Sequence, residues 1–145
     1  RRMRRTVKVA TTGLVVALAA AQFIRPERTN PPVDPRGSFA AAAQPPQRVA
    51  AILGRSCGDC HSHNTVWPWY SKVAPVSWLI ASDVNEGRAK LNLSRWDIYN
   101  PEMSKIRVKA MCKEAQSGEM PPWYYRPMHR GSGLSAEEVA AVCAL

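Results

Sequence analysis

One short stretch decides how this sequence is read: residues 56–70, S-C-G-D-C-H-S-H-N-T-V-W-P-W-Y. Two cysteines, Cys57 and Cys60, stand three positions apart, and His61 follows the second directly. Three chemistries use cysteines at this spacing: a redox dithiol, part of a zinc site, and thioether attachment of haem with the next histidine as iron ligand. The surrounding sequence discriminates among them.

The alternatives to haem attachment lack their usual context. A thioredoxin-like dithiol requires a βαβ environment that lowers a thiol pKa, and no such pattern surrounds Cys57. Residues 57–63 offer two cysteines and two histidines, but so short a segment is too cramped for a tetrahedral zinc site. A Cys57–Cys60 disulfide is the simplest alternative. We predict one covalent haem c attached through Cys57 and Cys60, with His61 as the proximal iron ligand.

The second axial ligand has several candidates. Met120 stands in G-E-M-P-P-W, and a residue before proline is biased away from helix, so Met120 is expected on a stiff loop. We predict Met120 as the distal ligand, because a thioether stabilises ferrous iron and raises the reduction potential. His129 is the alternative ligand. An open or water-filled position, which would permit peroxide or gas chemistry, is the third possibility.

Aromatic residues cluster in the two segments that carry these ligands. We predict that five of them line a haem pocket and exclude water from it, with ordinary core packing as the alternative. These residues are Trp67, Trp69, Tyr70, Trp78 and Trp123. Trp96 lies apart from both segments and is expected in the core.

Helical patterns dominate the C-terminal two thirds of the chain. The expected helices cover residues 46–54, 76–87, 101–117 and the segment after Ser135. Asn100 is a predicted N-cap, Ser135 and Glu138 form a predicted capping box, and Gly87 and Gly118 are predicted stops. No stretch alternates apolar and polar residues long enough for a strand. The fold class is therefore all-α, a small cytochrome-c-like helical domain.

The predicted domain, residues 48–145, has a thin core for its size. Both phenylalanines, Phe23 and Phe39, precede it, so its core is expected to use Trp, Tyr, Leu, Ile and Val. A large flat apolar cofactor would explain how such a domain folds.

The N-terminus combines basic and apolar residues. Five Arg or Lys residues occur in the first ten positions, and residues 9–24 are mostly apolar. Residues 7–24 as a helix would be about 27 Å long, close to a hydrocarbon core of ~30 Å. We therefore predict a signal-anchor or transmembrane helix over residues 1–24, with a cleaved secretory signal as the alternative. Both place the remaining chain outside the cytoplasm.

Residues 25–47 read as a linker. This segment holds six of the twelve prolines, which favour an extended and semi-rigid chain. A plain spacer is the main expectation, with a short helical turn at residues 39–43 as the alternative.

The net charge of +9 does not indicate nucleic-acid binding. Much of it lies in the N-terminal segment, and residues 48–145 contain 12 basic and 9 acidic side chains. No basic stripe interleaved with aromatic residues is present in this domain, so no nucleic-acid partner is expected.

Two further cysteines, Cys112 and Cys143, lie on the third and last predicted helices. An exported protein folds under oxidising conditions, so we predict that they form a disulfide, with buried thiols as the alternative. The bridge would close a loop of about thirty residues and stabilise the fold by about 3–4 kcal/mol.

Several motifs together resemble one family. They are C-x-x-C-H-S with W-P-W-Y-S-x-V-A-P-V-S-W-L-I, then D-V-x-E-G-R-x-x-L-N-L-S-x-W, G-E-M-P-P-W-Y-Y and L-S-x-E-E. Over residues 49–145 the chain resembles the bacterial haem-binding-domain family of monohaem c-type cytochromes. The resemblance implies haem c on Cys57 and Cys60, His61 as axial ligand and a role for the Met120 segment. It implies no particular electron donor or acceptor.

The expected function is electron transfer. We expect a single-pass protein of the bacterial inner membrane, with a monohaem domain in the periplasm that serves redox partner proteins or a larger membrane electron-transfer complex. No nucleophile–base pair or paired carboxylates indicate an enzyme. The alternative is a haem enzyme or sensor with an open sixth site.

Overall fold

The computed structural model describes residues 2–145, and these residues contain no strand. They form the helices α1 (Arg2–Ala21), α2 (Phe39–Ala43), α3 (Gln47–Ser56), α4 (Gly58–His61), α5 (Val76–Lys90), α6 (Pro101–Ser117) and α7 (Ala136–Cys143). Short 3-10 turns occur at Pro35–Gly37, Trp69–Lys72 and Trp96–Ile98. The prediction of an all-α fold is confirmed.

The chain divides into two compact units. One combines the N-terminal segment through Thr29 with residues 67–83, and the other combines residues 30–66 with residues 84–145. The cysteine motif and the Met120 segment both belong to the second unit. The domain boundaries expected at residues 24 and 47 stay a prediction.

Side chains hold the first unit together. The amide of Gln22 exchanges two hydrogen bonds with the backbone of Ala74, at 3.2 and 3.0 Å. The indole Nε1 of Trp78 donates to the carbonyl of Ile24 at 2.8 Å. The chain that follows α1 is therefore fastened to the region around residues 74–78.

The transmembrane prediction for the N-terminus is not supported. No helix within residues 2–145 has both the length and the apolar character needed to cross a membrane. The first two turns of α1 carry four basic side chains, and the helix ends at Ala21. Its uncharged part, residues 9–21, is about 20 Å long, well short of a hydrocarbon core of ~30 Å.

The second unit has a core built from several helices and from the expected linker. The buried cluster comprises Phe39, Val49, Ile52, Leu53, Trp96 and Val142. Phe39 is only 3% exposed, and its ring meets Trp96 edge-on with a centroid distance of 4.6 Å. The expectation of a core without phenylalanine and a plain spacer at this point is wrong, because Phe39 is a core residue. Trp96 lies in the core as predicted.

The ends of the two C-terminal helices follow the sequence signals. The Asn100 side chain accepts from the amide of Met103 at 2.8 Å and caps α6, which ends at Gly118 with φ of 73°. Ser135 and Glu138 form a reciprocal capping box at the start of α7. Because φ in this range favours glycine, Gly118 is the stop that the sequence predicts.

Candidate functional site

The two motif cysteines lie in one tight turn at the junction of α3 and α4. The amide of Cys57 donates to the carbonyl of Leu53, and the amide of His61 donates to the carbonyl of Cys57, both at 2.9 Å. Residues 57–61, which we call the cysteine turn, therefore present both thiols and the imidazole from about one turn of helix. Cys57 and Cys60 are half-buried thiols that are not joined to each other, which argues against the disulfide alternative.

The environment of Cys57 does not fit a redox dithiol. Burial raises the pKa of its thiol to about 11, although the charge of Arg55 acts in the opposite direction. Reactive dithiols depend instead on a lowered thiol pKa. This raised pKa does not support a redox dithiol at Cys57.

The zinc alternative also lacks support. Within residues 2–145, no three His, Cys, Asp or Glu side chains converge as ligands of a metal ion. His63 is buried, and its Nε2 lies 3.0 Å from Nδ2 of Asn92 while its Nδ1 lies 3.4 Å from the carbonyl oxygen of Pro32. His63 is therefore a core histidine.

His61 is oriented by backbone carbonyls. Its Nδ1 lies 2.9 Å from the carbonyl oxygen of Gly87 and 3.1 Å from that of Leu91. A carbonyl oxygen only accepts, so Nδ1 carries the proton and Nε2 keeps its lone pair in the neutral ring. Burial lowers the pKa of His61 and favours this neutral form, against the opposing effect of the two hydrogen bonds.

Gly87 allows α5 to approach the cysteine turn. A Cβ at this position would lie 2.5 Å from the carbonyl oxygen of Cys60, closer than any Cβ is normally found to another atom. The prediction that Gly87 ends its helix is wrong, because α5 continues to Lys90. The glycine serves close packing instead, and this packing brings the carbonyl of Gly87 to His61.

The expected linker supports the same histidine through Leu93. The amide of Leu93 donates to the carbonyl of His61 at 2.7 Å, and the carbonyl of Leu93 accepts from the amide of Phe39 at 2.8 Å. Phe39 is thus connected to the proposed proximal ligand by two backbone hydrogen bonds through Leu93.

Asp59 fixes the chain that leaves the cysteine turn. Its carbonyl accepts from the hydroxyl of Thr65 at 2.6 Å, and its carboxylate accepts from the amide of Val66 at 3.0 Å. Arg88 binds the same segment, donating to the carbonyl of Ser62 at 2.8 Å and to the hydroxyl of Thr65 at 2.9 Å. Asp59 and Arg88 together brace the turn on its C-terminal side.

Met120 lies in a long non-helical segment between α6 and α7, residues 118–133, which we call the 118–133 loop. The amide of Met120 donates to the carbonyl of Glu114 at 3.2 Å, and Met120 is 37% exposed. Arg126 donates to the carbonyls of Pro121 and Gly118, at 2.8 and 2.6 Å. The non-helical conformation expected at Met120 is confirmed. The guanidinium group of Arg126 binds the chain both before and after Met120.

A second contact joins this loop to the cysteine turn. The phenol of Tyr125 donates to Asp59 Oδ2 at 2.8 Å. The ring of His129 stacks on that of Tyr125 with a centroid distance of 3.7 Å, and its Nδ1 lies 3.1 Å from the carbonyl oxygen of Tyr125. His129 Nε2 lies 3.9 Å from Asp59 Oδ2. Both ring nitrogens of His129 therefore face groups of the protein.

The predicted pocket aromatics occupy different environments. Trp123 belongs to the 118–133 loop and is 78% exposed. The other four belong to the first compact unit, where Trp69 is 74% exposed and packs edge-on against Tyr70. These four are Trp67, Trp69, Tyr70 and Trp78. Their role as haem-pocket residues stays a prediction.

A disulfide joins the helices on either side of the 118–133 loop. It connects Cys112 on α6 with Cys143 on α7, and the two Cα atoms are 4.7 Å apart. The covalent link therefore closes the segment that contains Met120.

Three supporting residues escaped the sequence analysis. Asp59 and Tyr125 are 66 residues apart, so no local sequence pattern could indicate that they are hydrogen-bonded. Phe39 carried a weak signal, as an aromatic residue at the start of an alanine-rich stretch in a segment read as a spacer.

The donor set of the cysteine turn fits haem. Two thiols lie on the turn that ends in His61, and the tautomer of that imidazole leaves Nε2 to bind iron. A metal-ligating histidine usually donates its other ring nitrogen to a carbonyl or carboxylate in this way. Cys57, Cys60 and His61 are therefore the residues suited to hold the cofactor.

Comparisons with known proteins agree with this chemistry. The haem-binding domain family matches residues 16–145, which include the expected linker and the end of α1. Neither the curated proteins nor the solved structures gave a match. With nearly its whole length matched and a donor set suited to the cofactor, the chain belongs to the haem-binding domain family.

Proposed function

We propose that the protein is a monohaem c-type cytochrome that carries single electrons. The observation that carries this proposal is the hydrogen bonding of His61 through Nδ1 beside two thiols of one turn. Cys57 and Cys60 would hold the porphyrin through thioether bonds, and His61 Nε2 would bind its iron. The bound haem would supply a one-electron Fe(III)/Fe(II) couple, and the single C-x-x-C-H motif specifies one haem per chain.

The chain's contribution on the His61 side is orientation and electronic tuning. The carbonyls of Gly87 and Leu91 fix the plane of the imidazole before the cofactor arrives. The hydrogen bonds that Nδ1 donates would also raise the basicity of the ligating nitrogen, which stabilises ferric iron.

Met120 is the distal ligand that the surrounding contacts favour. Its backbone is fastened to α6, and Arg126 holds the carbonyls on both sides of it. His129, the alternative, stacks on Tyr125 and has its Nε2 3.9 Å from Asp59 Oδ2, so it would have to leave that carboxylate to bind iron through Nε2. A thioether from Met120 would supply a ligand suited to electron transfer by the bound haem.

A location outside the cytoplasm, in the periplasm, is part of the proposal. The disulfide between Cys112 and Cys143 supports an oxidising compartment, and basic residues before an apolar helix are typical of exported chains. The partners would be redox proteins or a membrane electron-transfer complex that exchange one electron at a time.

The covalent bond is tested by extraction of matured protein. We expect pigment to stay with the polypeptide in acidified acetone, and a pyridine haemochrome assay to give one haem per chain. The Cys57→Ala, Cys60→Ala double variant should lose the pigment on extraction, whereas the matched Cys112→Ser, Cys143→Ser variant should keep it. Extractable haem in the unaltered protein would exclude a c-type attachment.

The distal ligand is tested by the ferric absorption spectrum. Methionine ligation gives a weak charge-transfer band in the red, which Met120→Ala should abolish and His129→Ala should leave in place. High-spin ferric features in the unaltered protein would instead favour the open-site alternative, a haem enzyme or gas sensor.

A further inference from the structure

The 118–133 loop is joined to the cysteine turn by a side-chain bond that spans 66 residues of sequence. Tyr125 donates from its phenol to Oδ2 of Asp59 at 2.8 Å, and both side chains are partly buried. Asp59 stands inside the motif itself, between the two cysteines. A hydrogen bond to a carboxylate is stronger than one between neutral groups, so this contact is a substantial constraint on the loop.

Asp59 is a fixed anchor for this bond. Its other carboxylate oxygen accepts from the amide of Val66 at 3.0 Å, and its backbone carbonyl accepts from the hydroxyl of Thr65 at 2.6 Å. The carboxylate also belongs to the helical turn that carries the cysteines. A partner bound to Asp59 is therefore positioned relative to Cys57, Cys60 and His61.

The chain between Met120 and Tyr125 is stiff enough to transmit that position. Two consecutive prolines follow Met120, and proline restricts its own φ and the conformation of the residue before it. The amide of Tyr125 donates to the carbonyl of Pro122 at 3.1 Å and closes a turn. Arg126 binds the carbonyls of Pro121 and Gly118, which flank Met120.

We propose that Tyr125 is a positioning residue that holds the Met120 segment against the cysteine turn and so keeps the thioether on the haem iron. The proposal rests on the proposed function, because it takes Met120 as the distal ligand. A nitrogen ligand such as imidazole would compete with the thioether for the iron, and release of Met120 would be easier if its segment could move away from the cysteine turn. A bond that opposes this movement shifts the equilibrium towards methionine ligation.

The test is the affinity of the ferric holoprotein for imidazole, measured through the loss of the charge-transfer band as imidazole is added. Tyr125→Phe removes only the phenol oxygen, and we expect imidazole to bind about tenfold more tightly, which corresponds to about 1.4 kcal/mol. Asp59→Ala should produce a similar change, and the double variant should add little to either, because both substitutions break the same bond. Asp59→Asn keeps an amide that can bond both Val66 and Tyr125, and should stay within about threefold of the unaltered protein.

Tyr99→Phe is the matched control. The phenol of Tyr99 accepts from the amide of Asn92 at 3.0 Å, so this variant also loses one phenol hydrogen bond, outside the 118–133 loop. It should lower the urea midpoint by an amount similar to Tyr125→Phe while leaving imidazole affinity within about twofold. The same imidazole affinity in Tyr125→Phe and Tyr99→Phe would overturn the proposal.

The Met120→Ala variant distinguishes a failure of the methionine ligand from a failure of the positioning role of Tyr125. If it abolishes the charge-transfer band while Tyr125→Phe changes nothing, the methionine ligand stands and the positioning role of Tyr125 is wrong. If Met120→Ala itself leaves the band and the imidazole affinity unaltered, the distal ligand is wrong and the role of Tyr125 falls with it.

Discussion

The cysteine turn and the 118–133 loop are held in place by different kinds of contact. His61 is oriented by two backbone carbonyls, that of Gly87 in α5 and that of Leu91 just after it, and its own carbonyl is bonded to the backbone of Leu93. In the 118–133 loop, the amide of Met120 is bonded to the carbonyl of Glu114, and the guanidinium of Arg126 and the phenol of Tyr125 supply side-chain contacts. The histidine itself is oriented by backbone groups, whereas the bond between the 118–133 loop and the cysteine turn is made by the side chains of Tyr125 and Asp59.

This difference has a consequence for how each side responds to change. Backbone carbonyls in a helix cannot be removed by substitution, so the histidine side should yield only when the core or the approach of α5 is disturbed. A loop held by single side chains opens at a lower free-energy cost, as surface segments generally do. The proposed covalent ligands therefore lie on the rigid side and the exchangeable ligand on the adaptable side.

The largest expected effect comes from the core beneath the cysteine turn. Phe39→Ala should lower the free energy of unfolding by about 3–5 kcal/mol, because it removes a buried ring that packs on Trp96. Phe23→Ala, at a position that is 89% exposed, should change it by less than about 0.5 kcal/mol. Urea denaturation of both variants measures the difference. Equal effects would mean that Phe39 does not anchor the histidine side.

The disulfide tests the other side of the comparison. Cys112→Ser with Cys143→Ser should cost about 3–4 kcal/mol in the free energy of unfolding, because the bridge closes a loop with a sequence separation of 31 residues. That loop contains Met120. In the variant without the disulfide, we therefore expect the ferric charge-transfer band to be lost at a lower urea concentration than the main absorbance band of the haem. Simultaneous loss of both signals would show that the two sides do not respond independently.

A pair of glycines separates packing from helix propensity. Gly87→Ala should destabilise the protein by about 1–3 kcal/mol, because the new Cβ would meet the carbonyl of Cys60 at 2.5 Å. Gly54→Ala, inside α3 with no atom within 4 Å of the new Cβ, should instead stabilise it by about 0.5–1 kcal/mol. Thermal unfolding of the two variants in opposite directions is the expected result. Stabilisation by both would contradict the close approach of α5 to the cysteine turn.

The parts of this structure that follow local rules could be predicted from the sequence. The helix cap at Asn100, the stop at Gly118 and the capping box at Ser135 each depend on side chains within a few residues. The spacing of the cysteine motif is local in the same sense. Such features depend on the residue types at a few neighbouring positions, and these can be identified directly in the sequence.

The predictions that were wrong, and the contacts that were not predicted, concern residues distant in the sequence. Gly87 indicates a helix stop when only its neighbours are considered, and the approach of Cys60 explains why a glycine lies inside α5 instead. Phe39 reads as part of a spacer because its partners, Trp96 and Leu93, lie more than fifty residues away. The bond between Asp59 and Tyr125 is of the same kind. The sequence could name the proposed ligands but not the groups that orient them.

The smallest expected effect lies where α3 and α7 are joined by an ion pair. Glu138 accepts from the amide of Ser135 and from Arg55, at 2.9 Å in each case, and these bonds, the backbone one first, hold the pKa of Glu138 below its ordinary value of 4.5. A lowered folded-state pKa contributes stability above the unfolded-state pKa, and this contribution is lost as pH falls through the folded-state value. Glu138→Gln keeps a capping acceptor but does not titrate.

The stability difference between the unaltered protein and Glu138→Gln should therefore be constant near neutral pH and shrink as pH falls below about 4.5. Arg55→Gln, which leaves the bond to Ser135 intact, should show an intermediate pH dependence. Urea midpoints measured from pH 7 to pH 3 at fixed ionic strength provide the comparison, since salt screens an exposed pair. A stability difference that grows on acidification would contradict a lowered pKa of Glu138. It would mean that the charge of Glu138 does not stabilise the junction of α3 and α7.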